Sequence, residues 1–433
     1  MDLLYFFDGI NKMLGMPSTI IFLGVAIFLT IKNKFIQLRA GGYFLKLITD
    51  RKQHLGHTEQ TIGPFQALFT AMASTIGIGN IVGPSIAIVA GGPGALFWII
   101  AYAFFASVTK FTEVTFGVYT RKRDVDGTII GGPMEYLKSV SPALANWYAM
   151  VMMLLFAGWS GIQSNTLACM LAEESVPKWQ TGFVVAAIAF WVLIGGAQRI
   201  GGLASKIVPV KFVIYIVFAL GILLKDIPAL GNAIMLVISH IFTPTAAMGG
   251  FLGASVFQAM RSGIYRSIYI TEAGTGTAAI PHSLANVKKP ADQGVLAMYS
   301  IFAEIFLCTL SGLIVLVTGV WEGSAFSNTL IYKAFKLHAP FYGQWLLIAS
   351  ISLFALTTTI GNSFNGSQSF SAFFGHRFVK IYYLFCIFII FWGSMISVPL
   401  IWSIMDILLT LVAIPNLIGI VILSYRNPKV LEL

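Results

Sequence analysis

The chain has 433 residues, of which 57% are hydrophobic and 10% charged, where a soluble domain carries roughly 25% charged residues. With a mean hydropathy of +0.83, this excludes a soluble globular protein and defines a polytopic membrane protein. The net charge of +10 would suggest nucleic acid in a soluble chain; here membrane orientation explains it, and no nucleic-acid partner is expected. The three cysteines, Cys169, Cys308 and Cys386, sit in separate apolar runs without a CxxC pattern, so they read as small buried apolar residues. The N-terminus MDLLYFFDGINKML lacks a basic leader, and no cleaved signal peptide is expected.

The apolar runs divide into about eleven spans in one polytopic domain, 1–433: 16–31, 65–90, 95–119, 146–172, 180–196, 205–224, 246–272, 294–320, 344–374, 379–398 and 401–424. The last two meet across Val398-Pro399 and are separated least clearly.

The second span departs most from an ordinary membrane helix. Gly63–Gly94 is long enough to cross a bilayer, yet its middle reads Ser74-Thr75-Ile76-Gly77-Ile78-Gly79-Asn80, with Gly83-Pro84 close behind. Glycine costs about 1 kcal/mol and proline about 3 in a helix interior. Two readings stand side by side. In one the helix is discontinuous, and its freed backbone groups face a cavity. In the other the small residues allow close helix packing. If the helix is broken, amides near Gly77, Ile78 and Gly79 suit a carboxylate. The carbonyls of Ala73 and Ile76 suit a small hard cation.

Span three carries Glu113. In span four, Gln163 and Asn165 lie mid-span, where polar side chains face a bundle interior, either lining a cavity or tying helices together. Span seven is again rich in Gly and Ser from Met248 to Gly263, with Gln258 and Arg261 in its second half. It lies five spans after the first candidate break, and interrupted spans in corresponding positions point to an inverted-repeat transporter; the alternative is that glycine is simply common in membrane helices. Gln258 joins the candidate substrate-binding residues. Glu304 in span eight and Asp406 in span eleven are further interior acids, functional candidates by default. In span nine, Thr358 and Thr359 follow Ala355 by three and four positions on one helix face. Their hydroxyls and the Ala355 carbonyl would complete an oxygen cage, unless they bond back to their own helix. The histidines, His282 among them, fall in loops or at span ends and read as solvated.

With the N-terminus outside and the chain alternating, 22 of the 27 Lys and Arg residues fall in or beside the inner loops, Lys110, Lys211, Arg261 and Arg266 among them. That bias places the C-terminus in the cytoplasm. Enzyme signatures are missing: Gly77–Gly83 is GxGxxxG without a strand–helix setting, and no GxxxxGK[ST] or HExxH occurs. The chain is not expected to be an enzyme.

FQALFTAMASTIGIGNIVGP, GGPGALFWII, GGPMEYL, EAGTG, FWGSMISVPLIW and AIPNLIG, in this order from about Phe65 to Leu423, resemble the alanine or glycine:cation symporter family of bacteria and archaea. The resemblance implies an all-α integral membrane fold of about eleven transmembrane helices. One extra helix (16–31) would precede a five-plus-five inverted repeat with discontinuous helices, 65–224 and 246–424, of the leucine-transporter type. It implies sodium-coupled uptake of small neutral amino acids by alternating access in a bacterial inner membrane, with sodium as the coupling ion and no other cofactor. Ser74 and Thr75 would touch the substrate's amino group, and the Gly77, Ile78 and Gly79 amides its carboxylate. Gln163 and Thr358 would face the substrate. Ala73, Ile76, Ala355, Thr358 and Thr359 would hold sodium. The chain departs from the family at Ile78, at Tyr269-Ile270-Thr271, at Glu304 and at Asn362, where a tryptophan is usual. A small residue at Asn362 predicts a roomier, more polar pocket. Competing expectations are proton coupling through Glu304 or Asp406, and a channel or scaffold without transport.

Overall fold

The computed structural model describes residues 2–49, 61–123, 129–242 and 252–433, and they are almost entirely helical. In chain order the helices are α1 (Asp2–Lys32), α2 (Ile36–Arg39), α3 (Gly41–Thr49), α4 (Pro64–Thr75), α5 (Ile78–Gly91), α6 (Gly94–Tyr119), α7 (Pro133–Lys138), α8 (Pro142–Ala172) and α9 (Lys178–Ile194). They continue as α10 (Gly196–Leu224), α11 (Ile227–Ser239), α12 (Leu252–Thr271), α13 (Ala279–His282), α14 (Pro290–Val317), α15 (Leu330–His338), α16 (Gly343–Phe374), α17 (Val379–Gly393) and α18 (Val398–Arg426). A two-residue hairpin pairs Lys122–Arg123 with Ile129–Ile130.

Each of the eleven expected segments is mainly helical over its described residues. By length and apolarity, eight helices among the described residues would cross a membrane, or nine if the bent pair α4–α5 counts as one. The first segment is longer than expected, because α1 runs unbroken from Asp2 past Pro17. The doubtful boundary between the last two falls at Ser394–Ser397, ahead of Pro399 at the start of α18.

Close crossings depend on small residues. A Cβ placed on Gly393 of α17 would lie 2.8 Å from the Gly161 Cα of α8. One on Gly294 of α14 would meet Thr115 Oγ1 of α6 at 2.2 Å. Without a hydrophobic driving force between helices in lipid, such backbone approach and interhelical hydrogen bonds supply the adhesion. Asn165 shows the second device: its Nδ2 donates to the carbonyls of Gly393 and Ile396, both at 2.8 Å. All three cysteines are free and buried.

The first break is where it was expected. α4 ends at Thr75, Ile76 and Gly77 leave helical geometry, and α5 starts at Ile78, bent by 43°. The second interruption is displaced from the expected Gly- and Ser-rich run. Met248–Phe251 lies outside the described residues, and α12 is continuous from Leu252 to Thr271 through Gly253 and Gly263. The chain instead unwinds over Glu272–Ala278, where Glu272, Gly274 and Gly276 have positive φ (54°, 101° and 81°). Gly274 and Gly276 supply the left-handed conformations that other residues resist. Gly263 serves packing: a Cβ there would press to 2.6 Å from the Ala95 carbonyl oxygen.

Freed backbone groups at membrane depth require partners, and the second break finds them on three helices. Glu113 of α6 accepts from the Gly274 amide (3.0 Å) and from Asn416 Nδ2 (2.6 Å). Asn416 of α18 also donates to the Gly274 carbonyl (2.9 Å), and Tyr148 of α8 donates to the Thr275 carbonyl (2.6 Å). Glu113 is therefore a structural anchor. His282, expected to be solvated, is fully buried and bonded to Gln293.

Candidate functional site

The first break is held by side chains from four other positions. The Gly77 amide donates to Asn80 Oδ1 (2.9 Å), and Asn80 Nδ2 reaches the Ile270 carbonyl at the end of α12 (3.5 Å). The Ile78 amide donates to Gln163 Oε1 of α8 (3.1 Å). Thr358 of α16 donates toward the Ala73 and Ile76 carbonyls at 3.3 and 3.4 Å. Lys211 of α10 donates to the Ile76 carbonyl at 2.7 Å. Two of the three amides expected to hold a carboxylate are thus occupied by protein oxygens in this conformation.

Ser74, Thr75, Gly77, Gly79, Gln163, Thr358 and Asn362 line one small cavity together with Trp159, Ile162, Tyr269, Glu272 and Trp402. Its volume is about 20 Å³, close to the least that holds a single water. The roomier pocket expected from Asn362 is therefore not open here, because the aromatic rings of Trp159, Tyr269 and Trp402 fill the space. Ile78 does not line this cavity; its amide bonds Gln163, which does. Gln258 is not part of this cavity: it is exposed and lines a separate space of about 330 Å³ on the side of Asp8, Asn11 and Lys12.

The expected hydroxyl contacts are partly taken. Ser74 Oγ donates back to the Ala71 carbonyl (2.8 Å) and accepts from Asn365 (3.3 Å). Thr75 donates to Glu304 Oε1 (3.1 Å). Glu304 forms a fully buried ion pair with Lys110 of α6 at 2.9 Å. Asp406 likewise pairs with Arg266 of α12, whose Nη2 reaches both carboxylate oxygens at 2.9 and 2.8 Å. Lys110, Lys211 and Arg266, first counted with the inner loops, are buried within the bundle instead. Arg261 donates to the Asn11 carbonyl near the start of α1, the end expected to face outside. The charge bias therefore rests on the remaining cations.

A lid separates the small cavity from the large one. The Tyr269 and Trp402 rings meet edge to face at 5.0 Å, and Trp159 lies 5.8 Å from Tyr269. The Arg266 guanidinium covers both, 4.3 Å from the Trp402 ring centre and 4.8 Å from that of Tyr269. Trp402 is fixed by donating to Asn328 Oδ1 (3.1 Å), and Asn328 in turn bonds Asn165 and Thr166.

The oxygens around Thr358 fit a small cation. Ligands roughly 2.4 Å from a hard cation have neighbouring oxygens about 3.4 Å apart in an octahedral cage, and Thr358 Oγ1 stands at that spacing from two carbonyls. Thr359 Oγ1, one residue on, is buried without a hydrogen-bond partner, and Ala355 is fully buried one turn before it. Gly77 leaves room for this arrangement, since a Cβ there would lie 2.6 Å from Thr358 Oγ1.

Asn80, Trp159, Lys211, Tyr269, Glu272 and Trp402 were not singled out from the sequence as site residues. Asn80 carried a local signal, as a polar cap three residues after Gly77. Glu272 lies in the EAGTG segment at the second break. The others are recognisable only by what they meet across the bundle.

A broken helix braced against an unbroken one, with a polar pocket under an aromatic lid, is the architecture of a secondary transporter of the leucine-transporter type. In a comparison of structures, the transporter MhsT in complex with L-phenylalanine superposes with a TM-score of 0.62 at 14% identity, over 84% of this chain and 89% of that one. The model of the sodium:alanine symporter family matches residues 2–432, and the chain belongs to that family, whose members are transporters and not enzymes. The sodium/alanine symporter AgcS of Methanococcus maripaludis is 33% identical over 440 residues, covering 98% of this chain and 95% of that protein. An uncharacterized transporter of Haemophilus influenzae is 34% identical over 419 residues, covering 94% and 90%.

Proposed function

We propose that the protein takes up a small neutral amino acid together with sodium, by alternating access, across a bacterial inner membrane. Its N-terminus would lie outside and its C-terminus in the cytoplasm, and 65–224 and 246–424 would be the two inverted halves. The observation that carries this reading is the break at Ile76–Gly77 with Thr358 Oγ1 set between the Ala73 and Ile76 carbonyls. A cation there ties the first broken helix to α16. The same break presents amides to the substrate's carboxylate, so ion and amino acid stabilise one arrangement and each favours the other's binding.

The carboxylate would take the Ile78 and Gly79 amides, with Gln163 turning its NH₂ toward it. The amino group would face Ser74, Thr75 and the buried Glu272. Entry requires Trp402 and Tyr269 to part, since the closed cavity is too small for any amino acid.

Proton coupling through Glu304 or Asp406 is the competing mechanism. Both acids are already engaged by a cation, Lys110 or Arg266, which favours a structural role for each. The test is uptake by the purified protein in vesicles, with an inward sodium gradient or with choline replacing sodium. Sodium-driven accumulation that Thr358→Val abolishes and Thr358→Ser retains is expected; accumulation driven by a pH gradient alone would refute the sodium reading.

A further inference from the structure

The cradle around the Ile76 carbonyl already holds the amino group of a lysine. Lys211 is fully buried in α10, and it forms no ion pair among the described residues. Its Nζ lies 2.7 Å from the Ile76 carbonyl oxygen and 2.6 Å from Thr357 Oγ1, and 4.7 Å from the centre of the Phe354 ring. A buried ammonium without an anion needs other sources of negative potential. It finds them in the carbonyl end of the half-helix α4, in a hydroxyl and in an aromatic face. A carbonyl end and a hydroxyl are also what a small cation takes.

We propose that Lys211 is a tethered cation of the coupling site, and that its ammonium and a sodium ion are alternative occupants at the Ile76 carbonyl. This rests on the sodium reading of the Ala73–Ile76–Thr358 cradle. The geometry leaves no comfortable way to seat both. With sodium roughly 2.4 Å from the shared oxygen and Nζ at 2.7 Å from it, the two charges could be no more than about 5 Å apart in a buried, weakly screened site. Sodium binding therefore requires the Lys211 side chain to leave this carbonyl.

The filled state has a function. With sodium absent, the ammonium holds α4, α10 and α16 together, because Ile76 closes α4 and Thr357 lies on α16. With sodium present, the ion takes over the link between α4 and α16, and α10 is released from the break. Lys211 thus sets how much sodium is needed before the substrate site forms.

The test is sodium binding to the purified protein in detergent at one fixed pH, read as radioactive sodium retained and as the sodium-dependent shift in melting temperature. Wild type is compared with Lys211→Met, which keeps length and apolar stem without the charge, and with Lys211→Gln as a second neutral variant. At least tenfold tighter sodium binding in a neutral variant is expected, or a sodium response that wild type lacks. Equal or weaker sodium binding in a folded neutral variant would overturn the proposal while leaving sodium coupling intact. No sodium binding in wild type and variants alike, with amino-acid binding retained, would overturn both readings. A wild-type structure at high sodium gives an independent check should both variants fail to fold. An ion in the cradle with Nζ moved away agrees with exclusive occupancy, whereas Nζ in place with no ion would count against sodium as an occupant. An ion and Nζ on the Ile76 carbonyl together would refute it.

Discussion

Gln163 Oε1 of α8 accepts from the Ile78 amide at 3.1 Å, the amide that the proposed function assigns to a substrate carboxylate. This contact keeps a helix-start amide satisfied while the pocket is empty. In the proposed mechanism the amide would exchange one oxygen for another, and Gln163 would become free to donate from its NH₂. Gln163→Leu removes both functions, and an unsatisfied buried amide costs about 1–3 kcal/mol. That cost falls on the substrate-free protein, so its melting temperature should drop by a few degrees, and amino-acid affinity by calorimetry should shift, with sodium binding in the absence of substrate little changed. Unaltered amino-acid affinity would remove Gln163 from the site.

Gly77 is required for space. Its φ of −127° is open to any residue, but the added methyl of Gly77→Ala would sit 2.6 Å from Thr358 Oγ1 and 2.9 Å from Thr358 Cγ2. Either Thr358 turns away or α16 shifts, and both disperse the cation's oxygens. The variant should keep its helical circular dichroism and lose sodium-dependent stabilisation. Gly79→Ala, whose Cβ meets only the Tyr269 carbonyl at 3.5 Å, should be far milder. Equal effects of the two would count against a cation site beside Gly77.

The Arg266–Asp406 pair fastens the lid. Arg266 is 7% and Asp406 15% exposed, and removing one partner of a buried pair typically costs about 3–5 kcal/mol. Asp406→Asn should lower the melting temperature by several degrees, since about 1 kcal/mol moves it roughly 2–4 °C in larger domains. It should also make a cysteine placed at Tyr269 more reactive toward a thiol reagent added from the side of Lys12. A lid that stays equally protected would show that the aromatic contacts suffice.

Substrate preference should favour polar side chains. Asn362 Oδ1 and Trp159 Nε1 are buried without hydrogen-bond partners, and both residues line the pocket. A site with unpaired polar groups rejects a ligand that cannot answer them far more strongly than one that can. In competition uptake assays, neutral amino acids with a hydroxyl or amide side chain should outcompete alanine and glycine. Asn362→Leu should reverse that order, and alanine or glycine outcompeting all others in wild type would exclude the polar-pocket reading.

Much of this site is local in character and so visible along the chain. Two glycines around one residue, after two hydroxyls, weaken the helix wherever they stand, and the break falls at Ile76–Gly77 as expected. Thr358 and Thr359 share a face with Ala355 through helical periodicity alone. Of the two mid-span amides, Asn165 ties helices and Gln163 lines the cavity, a difference set by which neighbour each meets.

Among the described residues the unwinding lies beyond the expected run, because glycines that allow close packing and glycines that allow unwinding look alike in sequence. Gly263 is pressed against Ala95 and stays helical, whereas Gly274 and Gly276 turn left-handed beside Glu113 and Asn416. A hydropathy pattern does not show that Ile76, 135 positions before Lys211, presents a carbonyl to its amine.

The order of residues by itself determined the membrane class and most of the helical segments, and it marked where a first interruption could fall, since apolarity and helix propensity act within a few neighbouring positions. The tertiary structure alone decided the partners of the buried charges, the aromatic lid and the placing of the Lys211 amine at the Ile76 carbonyl. Those depend on electrostatic and packing contacts between helices that are distant in the chain, and a charge buried in a bundle is stable only beside the particular groups that the fold brings to it.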